Sequence, residues 1–367
     1  MTDNINKSEG ESSSPFPGKI AVITGAASMA KEDFHSVKHL NLKYGTEKIV
    51  HVTWPENFVA ESSKMIDTAA KLAADREIKI LIINQAVPGT NPAVDKLKET
   101  RDDIFIVYCT VHDSPSAAAV RADMLIMSDE VGMGPAILNQ AKKQGARTFV
   151  HYSFPRHMSR LVMSGRRDLI RQACAAEGIQ FIEATAPDPM ELGTDAAQQF
   201  MLEDVPKMAA KYGEDTAFFC TNCHLQVPLI KAVVDSHTIY PQPCCPSPYH
   251  GFPEALSIDT GEDLPDLTWL ISEACRIAAE KNMTDRLSTW PVSTSMMYTN
   301  AAAEYAIKRI NGEVPETSID SHVLKDCMNA YITDVVGEES NVYMKSYSEN
   351  NIVYDNFKLI LMSYLDF

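Results

Sequence analysis

Beginning at Lys19, short β-branched runs alternate with longer amphipathic stretches, the pattern that parallel strands joined by crossover helices leave in a sequence. Lys19 to Thr24 (KIAVIT) predicts a first strand, followed by a helix from about Ala30 to Tyr44, a strand from Lys48 to Thr53 and a helix from about Phe58 to Arg76. The runs IKILIIN (78–84), IFIVYC (104–109) and Met124 to Met127 supply further strands, five in all. A second series opens at RTFVHYS (147–153), then a helix to Glu177, a strand IQFIEA (179–184) and a helix from about Asp195 to Tyr212. It closes with TAFFCT (216–221), a helix to about Asp235 and a strand at Thr238 to Pro241. Two such series imply two doubly wound sheets, each with its own core.

The alternation breaks at CCPSPYHGFP (244–253), whose prolines and aromatics predict a passage between lobes. Helices from about Leu267 to Lys281 and Met296 to Asn311 flank the segment RLSTWPVST, and the C-terminal part is rich in Tyr, Val and Ile. Residues 1–17 are polar and Ser-rich and predict a flexible head. The expected division is 18–127 plus about 254–312 for a first lobe, and 128–246 plus about 313–367 for a second.

Length and composition agree with two lobes: 367 residues at roughly 150 per domain exceed one core. The net charge of −16 opposes binding to a nucleic-acid backbone. No apolar run reaches the roughly 18 residues of a membrane span. Eight cysteines, several inside apolar runs, fit free thiols in a reducing cytoplasm better than a disulfide framework. A polar head also suits a lipoprotein whose leader precedes the sequence, so an extracytoplasmic location stays open as the alternative.

Motifs for common enzyme chemistries are weak. Thr24-Gly-Ala-Ala-Ser28 after the first strand and Asn84-Gln-Ala86 later are similar to a dehydrogenase turn, yet Met29-Ala30-Lys31 stand where further glycines belong. The Tyr-x-x-x-Lys at Tyr44 to Lys48 precedes Asn84 and has no catalytic place in that scheme. No GxSxG, HExxH or P-loop lysine motif occurs. Cys220-Thr-Asn-Cys223-His224 matches CxxCH, but Cys220 closes a buried strand where haem attachment needs an exposed loop. Cys223 with His224, Cys244 with Cys245, and His250 bring thiols and imidazoles to neighbouring strand ends. Paired CxxC spacing is missing, so the expectation is unpaired thiols, no metal and no cofactor.

Four segments carry a resemblance in their order and spacing. They are LIMSDEVGMGPAILNQAKKQGARTFVHY (125–152), RRDLIRQACAAEGI (166–179), TAFFCTNCHLQVPLIKAV (216–233) and LSTWPVSTSMMYTNAAAEYAIKRINGE (287–313). Together they resemble the type I periplasmic-binding-protein fold of sugar-binding proteins and LacI-type effector domains, over about 300 residues. The chain also resembles a bacterial family of unassigned function on this fold, designated only as regulators. The resemblance implies α/β architecture with two doubly wound parallel-sheet lobes, a three-segment hinge and closure around a ligand. It places the hinge near Ser128, Asp129, Pro246 and Trp290.

Ligands of parallel sheets bind beyond the strands' carboxyl ends. The expected ligand contacts are therefore Ser28, Trp54, Gln85, His112 and Asp113 in the first lobe. In the second they are Phe154, Arg156, His157, Thr185, Asn222 and Gln242, with Arg166 from a helix. Plainer readings stand beside these. Asp129 is a natural helix N-cap, Arg166 an exposed helix arginine, and Trp54 either a stacking surface or core beside Pro55. Asn222-Cys223 replaces the Asn-Asp of the resembled family and removes a carboxylate that accepts sugar hydroxyls, which leaves sugars, amino acids and nucleosides all open as ligands. The seventeen methionines are most simply adaptable core filler.

The expected function is non-catalytic binding of a small polar ligand, as an ABC-type solute-binding component or as a ligand sensor. Its partner is a membrane permease or a separate regulatory protein, with homodimerisation left open and no direct contact to nucleic acid. Only 18 residues precede Lys19 in this sequence, too few for the roughly 60 of a helix-turn-helix module. The alternative is an enzyme using His112, Asp113 and His157 as acid–base groups.

Overall fold

The computed structural model describes residues 16–26, 31–261 and 263–367. The predicted head up to residue 15, and Ser28 with its turn, lie outside them. Five strands open the chain: β1 (Lys19–Thr24), β2 (Ile49–Thr53), β3 (Ile78–Ile83), β4 (Phe105–Cys109) and β5 (Met124–Ser128). Then come β6 (Thr148–Ser153), β7 (Gln180–Thr185), β8 (Thr216–Cys220) and the short β9 (Ser288–Thr289). A hairpin of β10 (Val342–Glu349) and β11 (Ile352–Met362) precedes the short β12 (Leu365–Asp366). The first eight match the sequence expectation; β1, β3, β4, β6 and β8 are buried along nearly their whole length and read as continuous apolar runs, while the half-exposed β2 and β7 were marked by their β-branched and aromatic residues.

The chain divides into two units, one with Met1–Ile126, Tyr298–Leu324 and Ser348–Phe357, the other with Met127–Met297, Lys325–Tyr347 and Lys358–Phe367. Six segments mean five passages, where the resemblance implied three. Residues 254–297, expected in the first lobe, cluster with the second unit, while the hairpin tip at 348–357, expected in the second lobe, clusters with the first.

Unit 1 is built on a sheet of order β10-β11-β5-β4-β3-β1-β2, in which β5, β10 and β11 pass into the other unit. The strands β1 to β5 pair in parallel. Val22, Ile82 and Val107 are fully buried. The helix Thr294–Ile310 is tied in by polar contacts: Asn84 Nδ2 donates to Thr299 Oγ1 at 2.6 Å and Asn300 Nδ2 to the Ser36 carbonyl at 3.4 Å. Buried Arg101 donates to the carbonyls of Ala73, Asp75 and Ile78, joining the end of helix Ser62–Ala74 to the start of β3. In the hairpin, Asn350 and Asn351 both have positive φ, the signature of a two-residue type I′ turn. Asn356 then anchors it by donating to the carbonyls of Ala119 and Ala122.

Unit 2 holds the parallel sheet β7-β6-β8. The strand expected at 238–241 continues this edge only through isolated bridges, Ala217 to Ile239 and Tyr240 to Leu287. Helix Leu161–Glu177 ends at Gly178, whose φ of 70° is the left-handed turn that leads into β7. One core gathers Tyr152, Phe218 and Leu229 with Phe252, Leu256, Ala274 and Met283. That shared core is why residues 254–297 belong here. β12 pairs antiparallel with β9 and brings Phe367 onto Phe252, ring centroids 4.8 Å apart. No helix among the described residues is long and apolar enough to cross a membrane.

Candidate functional site

In unit 1 the carboxyl ends of β1, β2 and β3 deliver Gly25 and Ala26, Trp54, and Gln85 to one recess of about 110 Å³. Asp33, in the first turn of helix Lys31–Tyr44, closes its polar side. Gln85 Nε2 donates to Asp33 Oδ2 at 2.9 Å, and its Oε1 lies 3.3 Å from His112 Nε2, so that the imidazole donates when Nε2 carries the proton. The carboxamide is thus held between a carboxylate and an imidazole. Trp54 is only 2% exposed, and its Nε1 has no hydrogen-bond partner among the described residues. A buried donor left unmade costs about 1–3 kcal/mol. The Trp54 indole is packed in the core, the plainer of its two readings, and also lines the recess. Asp113 lies outside the recess lining, with Oδ1 accepting the Ser114 N–H.

In unit 2, Phe154 and Arg156 follow β6 directly. Arg156 donates from Nε and Nη2 to the two carboxylate oxygens of Asp188 at 2.7 and 2.8 Å. The guanidinium holds the Asp188 carboxyl down to about 2. His157 is buried against Phe154, ring centroids 4.2 Å apart, and its Nδ1 lies 3.0 Å from Thr221 Oγ1, which meets Ser153 Oγ at 2.8 Å. Burial first, then the charges of Arg156 and Arg160, lower the His157 pKa. Asn222 turns the chain after β8: its Oδ1 accepts the His224 N–H and its carbonyl accepts from Gln226 Nε2.

Several expected contacts have other work. Gln242 is fully buried, donating to Met133 Sδ at 2.8 Å and accepting from the Tyr364 hydroxyl at 2.6 Å, because its loop folds back into unit 2. Thr185 is exposed at the end of β7, an outer strand of its sheet. Arg166, at 1% exposure, is not the exposed helix arginine of the plainer reading: Nη1 pairs with Glu130 Oε2 at 3.0 Å and the guanidinium lies over Phe219. Its Nε has no partner among the described residues. Burial raises the Glu130 pKa.

Of the expected hinge residues, Ser128 and Asp129 follow the first passage between units. Asp129 Oδ1 accepts the Gly132 N–H at 3.0 Å, the capping role anticipated for it, while Oδ2 meets Lys345 Nζ at 2.5 Å. Pro246 and Trp290 lie inside unit 2, away from any passage, and Trp290 is fully buried in it.

Three thiols also converge in unit 2. Cys223 Sγ is 3.3 Å from Cys244 Sγ and 3.7 Å from Cys245 Sγ, the latter two are 3.9 Å apart, and His250 Nε2 is 3.9 Å from Cys244 Sγ. His224, grouped with Cys223 in the sequence, is not among the residues gathered here.

Asp33, Asp188, Thr221 and Glu130 were missed in the sequence. An acidic residue in the first turn of a helix that follows a strand was a usable signal for Asp33. Nothing local marked the other three, since their partners lie 32 to 64 residues away in sequence.

A mainly parallel α/β chain with polar residues collected at its strands' carboxyl ends has the type I periplasmic-binding-protein-like fold. The chain belongs to the family described as protein of unknown function DUF3798, whose model matches residues 18–288. It is similar to two uncharacterized proteins of Treponema pallidum (strain Nichols). One is 34% identical over 176 residues, which is 46% of this chain and 80% of the relative. The other is 36% identical over 164 residues, 44% of this chain and 76% of the relative. A proposed transcriptional regulator from Clostridium difficile shares the fold with a TM-score of 0.84 at 22% identity, over 95% of this chain and 99% of that one. An arabinose binding protein from Geobacillus stearothermophilus matches with a TM-score of 0.51 at 9% identity, over 84% and 92% of the two chains.

Proposed function

We propose that this protein binds a small polar ligand without transforming it, and that the ligand engages the carboxyl-end residues of the parallel strands. The observation that carries this reading is the unit 1 recess, lined by Asp33, Gln85 and Trp54, whose buried indole N–H has no hydrogen-bond partner among the described residues. An indole face with one donor, a carboxylate acceptor and an amide suits a hydroxyl-bearing or amide-bearing molecule. At about 110 Å³ the recess takes one end of such a ligand, since whole-ligand pockets are typically about 300–1,000 Å³. Within unit 2, Phe154, His157 and Asn222 likewise stand at the carboxyl ends of β6 and β8 as candidate contacts of that unit, and Arg156 acts through its grip on Asp188.

Solute delivery and ligand sensing are the two uses that fit a non-catalytic binder of this fold. Delivery requires an extracytoplasmic location and a membrane permease as partner; sensing requires a cytoplasmic location and a separate regulatory protein. Fractionation of the native host separates them.

The test of binding is a thermal-shift screen of sugars, amino acids, nucleosides and nicotinamide cofactors. A ligand at 100-fold its Kd adds about 2.7 kcal/mol of stability. The expected result is one class of non-reacting ligand whose effect is lost in Gln85→Ala. Stabilisation by NAD(P)H alone, accompanied by turnover, overturns the reading.

A further inference from the structure

Cys223 begins the short turn after β8, and Cys244, Cys245 and His250 sit in a loop about twenty residues later in sequence, all within unit 2. The loop is built to hold its side chains in place. Pro243, Pro246 and Pro248 restrict its backbone. Ser247 takes the His250 N–H on its carbonyl and the Tyr249 N–H on its hydroxyl, and the Tyr249 hydroxyl donates to the Pro265 carbonyl. Gly251 then turns the chain at φ +83° where a Cβ would stand only 3.1 Å from Ile230 and 3.2 Å from Gln226. The chain after His250 therefore runs directly against the helix that follows Cys223.

The donor spacing matches a tetrahedral ion rather than a simple thiol pair. Zinc–sulfur bonds of about 2.3 Å place coordinating sulfurs about 3.8 Å apart. The three sulfur separations are 3.3, 3.7 and 3.9 Å, and the imidazole Nε2 is 3.9 Å from Cys244 and within 4.8 Å of Cys223, while Cys245 lies outside the 4.8 Å grouping of the other three donors and has to turn its Sγ toward His250 to complete the set. A disulfide uses two sulfurs and leaves a third thiol and an imidazole beside it without a role. Soft thiolates with one imidazole in tetrahedral array select zinc among the common divalent ions.

We propose that Cys223, Cys244, Cys245 and His250 form a four-coordinate zinc site in unit 2. With all four positions taken by protein, such a site is structural. It pins the 243–250 loop to the carboxyl end of β8, the same end that carries Thr221 and Asn222. The proposal is independent of the ligand-binding reading, since it concerns the apo protein and needs no second molecule.

The experiment is metal loading of the full chain, reduced and freed of metal, with zinc chloride or cobalt chloride and then desalted. Elemental analysis is expected to find one zinc per chain. The cobalt form is expected to show the intense visible bands of tetrahedral coordination and a thiolate-to-cobalt charge-transfer band. Cys223→Ser and Cys245→Ser change exposed thiols, so circular dichroism is expected to show both folded while the charge-transfer band falls and the metal is lost on desalting. His250→Ala is expected to keep the band but bind more than about tenfold more weakly in chelator competition. Cys275→Ser, far from the cluster in sequence, retains one zinc. Absence of stoichiometric metal in the reduced wild-type chain overturns the proposal. So does undiminished zinc in the folded Cys223→Ser and Cys245→Ser variants, or formation of a Cys223–Cys244 disulfide in the presence of excess zinc.

Discussion

The Arg156 guanidinium meets the Asp188 carboxylate through two near-parallel bonds of 2.7 and 2.8 Å, while the same carboxylate accepts the Met190 N–H at 3.0 Å. Charge-assisted bidentate pairs are the strongest of the common side-chain hydrogen bonds. Here the pair ties the turn after β6 to the segment after β7, so the two carboxyl ends of neighbouring strands are held together by one ion pair.

This pairing makes the stability of unit 2 depend on acid in a defined direction. The Asp188 carboxyl titrates at about 2 in the fold against an ordinary 3.8, so its contribution is present above 3.8 and disappears as pH falls toward about 2. Arg156→Ala is expected to lower stability at neutral pH, and the gap between wild type and variant to narrow through that same window. Arg156→Lys keeps the charge but loses the second bond, and falls between them. Urea titrations at several pH values read the outcome; a gap that is constant with pH contradicts the assignment.

His151 provides a second acid sensitivity of the same sign, arising from burial rather than from pairing. It is fully buried in β6 between Phe181 and Phe219, neither ring nitrogen has a partner among the described residues, and burial with the charge of Arg166 pushes its pKa from 6.5 down to about 3. The unfolded chain therefore binds a proton that the folded chain refuses between those values. Stability is full above 6.5 and falls as pH drops toward 3, with a slope of at most about 1.4 kcal/mol per pH unit from this group. His151→Phe is expected to flatten that acid limb in denaturant titrations.

Trp54 separates packing from recognition. Its buried indole N–H has no partner among the described residues, so Trp54→Phe removes a donor the fold does not use. Ligand affinity is expected to weaken by about fivefold, equivalent to about 1 kcal/mol for one hydrogen bond. Calorimetric titration of wild type and variant with a ligand from the screen measures it. An unchanged Kd means that the ligand does not reach this indole.

Phe252 tests which core owns the 254–297 segment. The ring is fully buried, edge-on to Tyr240 at 5.8 Å and to Phe367 at 4.8 Å. Phe252→Ala is expected to cost about 3–5 kcal/mol, the usual range for truncating a core aromatic. Hydrogen exchange is expected to accelerate in β8 and leave β1 protected. Acceleration in β1 places the segment in the other unit.

Most of the strands β1 to β8 were legible in the sequence because buried parallel strands are continuous apolar runs, and runs such as KIAVIT and IKILII carry that signal locally. The same logic located Trp54 and Gln85, since the residue after each such run stands at the carboxyl end of its strand. Other relationships were beyond a linear reading. The helix from Leu267 to Glu280 has an apolar face that fits any core, and only its packing with Phe252 and Met283 assigns it to unit 2. The pairing of Asp33 with Gln85 spans 52 residues, that of His157 with Thr221 spans 64, and Cys223 meets Cys244 across 21. Local side-chain chemistry determines which elements form and what stands at their ends. Which of those ends meet is decided by burial of faces against distant partners, a property of the folded chain that no stretch of the sequence carries alone.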